Sequence, residues 1–174
     1  FVVTPPIMVR VWRTVSLGPG ELRARLEAMC ARHGVRCRDI RVWRTDGAML
    51  NGAVMGIFAP VRYILLTDAL LESLPGVQVE AVAAHEIAHI RRRHLPWLIG
   101  AMLASLWAGA ALVTFPAEAI AAALGVDLAG TALDAAVRGG AVIASIVCAG
   151  LVFGVVSRAF ERQADAFAAQ SLSG

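Results

Sequence analysis

His85, Glu86 and His89 stand in the string HEIAH. On a helix turning about 100° per residue they fall near 0°, 100° and 40° around the axis, so one sector presents all three. Two imidazoles one turn apart can grip a single Zn²⁺, and the glutamate beside them then reaches a water rather than the metal. Zinc lowers the pKa of such a water from near 16 to about 7, and Glu86 can take its proton as it attacks a carbonyl. This is the chemistry of peptide hydrolysis. A five-residue pattern also arises by chance, so a third ligand must decide. A metzincin would carry a glycine three residues beyond His89 and a histidine six beyond, where this chain has Arg92 and Leu95. His94 lies about 140° around the helix from His89 and cannot join the same face; it is assigned a place near a membrane interface. The remaining common donor is a glutamate on a later helix. SRAFERQADAFAAQ supplies Glu161 with Asp165 one turn on, so Glu161 can complete a His₂Glu set for one zinc per chain. Asp165 can accept a hydrogen bond from the free nitrogen of a ligating histidine and so fix its tautomer. The competing reading is a solvated helix with ion pairs Arg158–Glu161 and Arg162–Asp165; the presence of HEIAH upstream favours the metal.

The elements that must position these residues follow from pattern. Pro19-Gly20 precedes ELRARLEAMCARHG, where Leu22, Leu26 and Met29 recur at helical spacing and Gly34 supplies a stop. VRCRDIRVWR, MLNGAVMGIF and RYILLTD are short, rich in β-branched and aromatic residues, and punctuated by Asp46-Gly47 and Pro60, which predicts a small three-stranded sheet. Thr67 or Asp68 can cap a short helix ended by Pro75-Gly76, and a longer helix is expected from about residue 77 to 94. The fold class is therefore α+β, mainly α.

The chain has 174 residues, 58% hydrophobic and only 17% charged, which exceeds what one soluble core requires. The excess lies in residues 96–115 and 139–157, neither of which holds a charge; at about 1.5 Å per residue each spans the ~30 Å hydrocarbon layer. Four segments are expected: a juxtamembrane linker (1–20), a first part of the catalytic domain (21–95), a transmembrane hairpin (96–157), and a helix with the third ligand (158–174). An even number of crossings is required, because a single crossing would strand Glu161 about 30 Å from His85 and His89. Every basic residue is arginine. The connection between the spans carries Glu118, Asp127 and Asp134 against Arg138 alone, whereas Arg91, Arg92, Arg93, Arg158 and Arg162 flank the other ends. The positive-inside rule then puts the catalytic face in the cytoplasm of a multi-pass cell-membrane protein. Nine arginines before position 50 make the +3 charge an N-terminal feature, but they lack interleaved aromatic platforms, so anionic lipid and solvent are the expected partners and nucleic acid is not. Cys30, Cys37 and Cys148 form neither a CxxC nor an even set and read as reduced thiols. The chain opens on Phe without a signal peptide, and residues 1–3 are read as the tail of an earlier membrane helix.

NGAVMGIF, then RYILLTDALLESL, VEAVAAHEIAHIRRRH, two membrane spans and SRAFERQADAFAA together resemble the HtpX-like and CAAX-prenyl-protease-like integral-membrane zinc metallopeptidases of the gluzincin clan, over about residues 48–170. The resemblance implies a gluzincin-type zincin core, with an HExxH helix, a small sheet with an active-site edge strand and an ExxxD helix, interrupted by the two-helix hairpin. It implies His85, His89 and Glu161 as zinc ligands, Glu86 as the base and Asp165 as the partner of a ligating histidine. It also implies that an extended peptide, from a membrane-embedded or membrane-attached protein, adds to an edge strand at Asn51, Gly52, Ala53 and Val54. There Gly52 and Gly56 would admit a second backbone or simply allow tight packing. Family members usually have further membrane helices upstream and a longer C-terminal part; no residue here is assigned to the oxyanion, and Tyr63 is read as packing. A protease-type signalling receptor, of the kind that senses β-lactams, also joins HExxH to membrane helices, and a catalytically dead scaffold is a third possibility. Two spans between HEIAH and ERQAD favour the peptidase over the first, and the intact His85, Glu86, His89 and Glu161 favour it over the second.

Overall fold

A computed structural model describes residues 4–172, which leaves residues 1–3, read above as the tail of a membrane helix, outside the described residues. The elements run α1 (Thr4–Val11), β1 (Thr14–Ser16), α2 (Glu21–Arg32), β2 (Asp39–Trp43), β3 (Gly52–Met55), β4 (Tyr63–Thr67), α3 (Asp68–Ser73), α4 (Gly76–Arg91), α5 (His94–Leu124) and α6 (Ala132–Leu172). The chain divides into two compact units, Phe1–Arg93 with Glu161–Gly174, and His94–Phe160.

The first unit is built on a sheet of order β1-β2-β4-β3, in which β2 and β4 are parallel and the outer pairs antiparallel. It has four strands rather than the expected three. Residues 1–20, expected as linker, instead supply α1 and β1; Thr14 ties the two by donating its hydroxyl to the Val9 carbonyl at 2.7 Å. β4, YILLT, is buried throughout, as an inner strand covered on both faces must be. Its side chains alternate. Ile64 and Leu66 join Leu26, Ile40, Ile87 and Phe167 in the main core, while Tyr63 and Leu65 face Val9 and Trp12 in a smaller cluster. Tyr63 is thereby a packing residue. β3 lies at the sheet's edge, pairing only with β4.

α2 presents Leu26, Met29 and Cys30 to the core and closes with Gly34 at φ +66°. Thr67 caps α3 by accepting from the Leu70 amide. The helix expected to reach residue 94 stops at Arg91, and the chain turns through Arg93 at φ 54° before α5 begins. The turn itself is made by arginines, with Pro96 following in the first turn of α5.

In the second unit α5 and α6 are both long and apolar enough to cross a membrane, with mean hydropathies of 1.9 and 2.3. Both outrun the expected spans: α5 continues through Pro116 to Leu124, α6 begins at Ala132 with Thr131 capping the Asp134 amide, and only residues 125–131 link them. Small residues line the contact. A Cβ on Gly109 would stand 2.6 Å from Ser145 Cα, and Ser145 donates to the Leu106 carbonyl at 2.8 Å. Large apolar side chains point outward instead, with Trp107 68% and Leu151 67% exposed. Only 11% of either apolar window is buried, which is the reverse of a soluble core and fits a lipid solvent.

Candidate metal centre

α4 buries Val79, Ala83, Ala84, Ile87 and Ala88, and that face sets the rotation of the helix. His85 and His89 then fall on the flank beside the C-terminal part of α6, where Ala164, Phe167 and Ala168 enter the same core at spacings of three and one. Small residues on both helices, Ala84, Ala88, Ala164 and Ala168, let the backbones approach. Glu161 and Asp165 sit on the edge of the buried α6 face and reach the histidines.

His85 Nε2 lies 3.1 Å from His89 Nε2 and 3.2 Å from Glu161 Oε2, and His89 Nε2 lies 3.7 Å from Glu161 Oε1. Zinc bonds of about 2.0–2.1 Å at tetrahedral angles place two donors roughly 3.3–3.4 Å apart, so this triangle has the size of a zinc coordination face. It is the one cluster of three such donors among the described residues. His85 Nδ1 meets Asp165 Oδ1 at 2.9 Å. With Asp165 as acceptor, Nδ1 carries the proton and the Nε2 lone pair points into the triangle. The intrahelical pairs of the competing reading, Arg158 with Glu161 and Arg162 with Asp165, do not form; both carboxylates face histidine. His94 is buried and stacked on Phe160 with ring centroids 4.2 Å apart.

Burial raises the Glu86 carboxyl above the ordinary carboxylate range, and Glu161 adds to the rise; His85 and the nearby Val54 amide act against it. The Val54 contact joins β3 to the centre. In antiparallel pairing the strand's backbone groups alternate between neighbour and outside. The Thr67 amide donates to the Asn51 carbonyl, so Asn51, Ala53 and Met55 face β4, while Gly52 and Val54 present theirs to the open edge. Of the four residues expected to meet substrate, then, two offer backbone groups outward. The two glycines serve packing: a Cβ on Gly52 would lie 2.5 Å from Val82 Cγ1, and Gly56, at φ +102°, would place one 2.2 Å from the Val61 carbonyl oxygen.

An HExxH helix, an edge strand beside it and a glutamate on a later helix are the elements that the resemblance above implies for a metallopeptidase. The chain belongs to peptidase family M48, whose pattern it matches over residues 18–173. It is 28% identical over 167 residues to the Protease HtpX homolog of Aeropyrum pernix (strain ATCC 700893 / DSM 11879 / JCM 9820 / NBRC 100138 / K1), an alignment covering 95% of this chain and 50% of that protein. The chain thus spans about half the length of that curated relative. Its fold matches the crystal structure of S. mikatae Ste24p with a TM-score of 0.66 at 19% identity, over 97% of this chain and 44% of the other.

Proposed function

We propose that the protein is a membrane-bound, zinc-dependent endopeptidase that cleaves membrane-embedded or membrane-associated proteins at the cytoplasmic surface. The observation that carries this reading is the His85, His89 and Glu161 triangle with Glu86 beside it. His85, His89 and Glu161 would hold one zinc. When bound, zinc would supply Lewis-acid polarisation of a water and of the scissile carbonyl. Glu86 accepts the proton of the attacking water and passes it to the leaving amine, a task for which a carboxyl held above its usual range is suited. Asp165 keeps the His85 Nε2 lone pair aimed at the metal. An extended peptide adds to β3 through the outward amide and carbonyl of Gly52 and the outward carbonyl of Val54, whose spacing selects backbone rather than side chain. α5 and α6 cross the bilayer and return, so the zinc helix and the third ligand share one side, and substrates anchored in the same bilayer arrive at high effective concentration.

The test uses protein of full natural length in detergent. Glu86→Gln is expected to retain one zinc and to lose cleavage of unfolded membrane proteins; cleavage at the parent rate by that variant would overturn the assignment.

A further inference from the structure

Away from the metal centre, a cleft of about 660 Å³ opens where α2 hands over to β2. α2 ends in a Schellman closure: the Gly34 amide bonds the Ala31 carbonyl and the Val35 amide bonds the Cys30 carbonyl at 2.9 Å, with Val35 and Cys30 packed in one cluster. The closure reverses the chain, so Cys37 returns over the last turn of α2. Both cysteines line the cleft. Cys30 is 5% exposed and Cys37 half-buried, and Cys37 packs against the core cluster that contains Cys30. The neighbouring Cys30 thiol holds Cys37 down to about 7 against burial and the carboxylates of Glu27 and Asp39, with Arg62 assisting, and the Cys37 sulfur together with burial pushes Cys30 up. The cleft is also basic in its free charges. Arg23 is committed to Glu27 and Asp39, whereas Arg36 and Arg38 enter no ion pair among the described residues.

We propose that Cys30 and Cys37 form a dithiol site that exchanges with small anionic disulfides and closes a reversible bridge across the α2–β2 turn. Cys37 is the attacking sulfur, being the more accessible of the two. Its thiolate attacks one sulfur of the disulfide RSSR, forming Cys37–S–S–R and expelling RS⁻, which takes up the proton Cys37 released. The Cys30 thiol then loses its proton, its sulfur attacks that of Cys37, and the second RS⁻ leaves and is protonated. Two cysteine thiols are oxidised and one small disulfide is reduced to two thiols. Arg36 and Arg38 favour a disulfide bearing carboxylates over one bearing amines. The site owes nothing to zinc or to peptide cleavage, so it stands or falls independently of the proposed activity.

The experiment uses the whole chain in detergent with Cys148→Ser throughout, so that only the pair can react. Oxidised glutathione should convert the protein to a form lighter by two hydrogens, with Cys30 and Cys37 joined in the peptide map. Cys30→Ala should stop at a glutathione mixed disulfide on Cys37, and Cys37→Ala should leave Cys30 unmodified, each with an unchanged far-UV circular dichroism spectrum. Should Cys30→Ala fail to fold, early quenching of the parent replaces it, and the Cys37 mixed disulfide must precede the bridge. Oxidised glutathione should react roughly tenfold faster than the cationic disulfide cystamine, each normalised to its rate with a free small thiol, and the ratio should collapse with added salt. A mixed disulfide that persists on Cys37 while Cys30 is present, first modification at Cys30, or equal normalised rates would overturn the proposal.

Discussion

Gly52→Ala tests whether the edge strand is seated on α4 through one interatomic contact. The new Cβ would stand 2.5 Å from Val82 Cγ1 on α4. Carbon atoms in contact sit about 3.5–4.0 Å apart, so strand and helix must separate by roughly 1–1.5 Å unless Val82 turns away. It has little freedom to do so, because a valine in a helix holds one χ1 rotamer in about 90% of cases. Overpacking of this kind costs about 1–3 kcal/mol. Moving β3 by ~1 Å also draws the Val54 amide from Glu86, a misplacement that can cost about 10²-fold in rate. Val82→Ala supplies the control. It removes Cγ1, and the next atoms from the new Cβ are Leu66 Cδ2 at 3.7 Å and Val82 Cβ at 3.9 Å, both ordinary contacts. Alone, Val82→Ala should cost less than about 1.6 kcal/mol, two buried carbons at ~0.8 each, since Val82 is only half-buried. The double variant should therefore be more stable than the sum of the singles by about 1–3 kcal/mol, and should regain activity that Gly52→Ala loses. Denaturation of all four proteins in one detergent measures the coupling. Additive effects would refute the contact and with it the positioning of β3 by α4.

Glu161→Ala should abolish cleavage and severely weaken zinc binding, whereas Asp165→Ala, which only frees His85 to rotate, should cost about 10- to 100-fold and keep residual turnover in excess zinc. Zinc titration followed by a peptidase assay separates them, and small, similar effects would return both carboxylates to the solvated-helix reading. Asp68, held at about 2 against an ordinary 3.8 chiefly by the Thr45 hydroxyl and also by the amides of Thr45, Ala69 and Asp46, should contribute stability that is full above its ordinary value and is lost as pH falls through about 2. The stability gap between parent and Asp68→Asn should therefore narrow on acidification, and a gap that stays constant down to pH ~2 would refute the role. For topology, a cysteine at Ala122 should label from outside the cytoplasm and one at Ala31 only after the membrane is opened; the reverse pattern would overturn the cytoplasmic placement.

The parts of the centre that were legible beforehand are those governed by helical period. His85 and His89 share a flank because four residues make nearly one turn, and Glu161 and Asp165 share one for the same reason; the distances of 2.9 to 3.7 Å between the two pairs then follow once both helices bury their alanine faces. β4 was legible as an unbroken apolar run, and the cap was legible as side-chain chemistry at Thr67 or Asp68, of which Thr67 is the one that forms it. What escaped depends on partners distant in sequence. β1 is three residues long and is a strand only because Thr14, Val15 and Ser16 find Trp43, Val42 and Arg41, a pairing that no local propensity announces. The end of α4 escaped because Arg93 adopts a left-handed conformation without being glycine. Gly52 shows the limit most clearly. Its sequence context permits either a docking backbone or tight packing, and the choice rests on Val82, one turn before Glu86 on the helix that carries the metal motif. The residue that faces the proposed substrate through its backbone is therefore the same one that sets how closely the strand approaches the base. A change made at Gly52 to alter substrate binding would act first on the spacing between β3 and α4, so a loss of activity there identifies a substrate contact only if Val82→Ala fails to restore it.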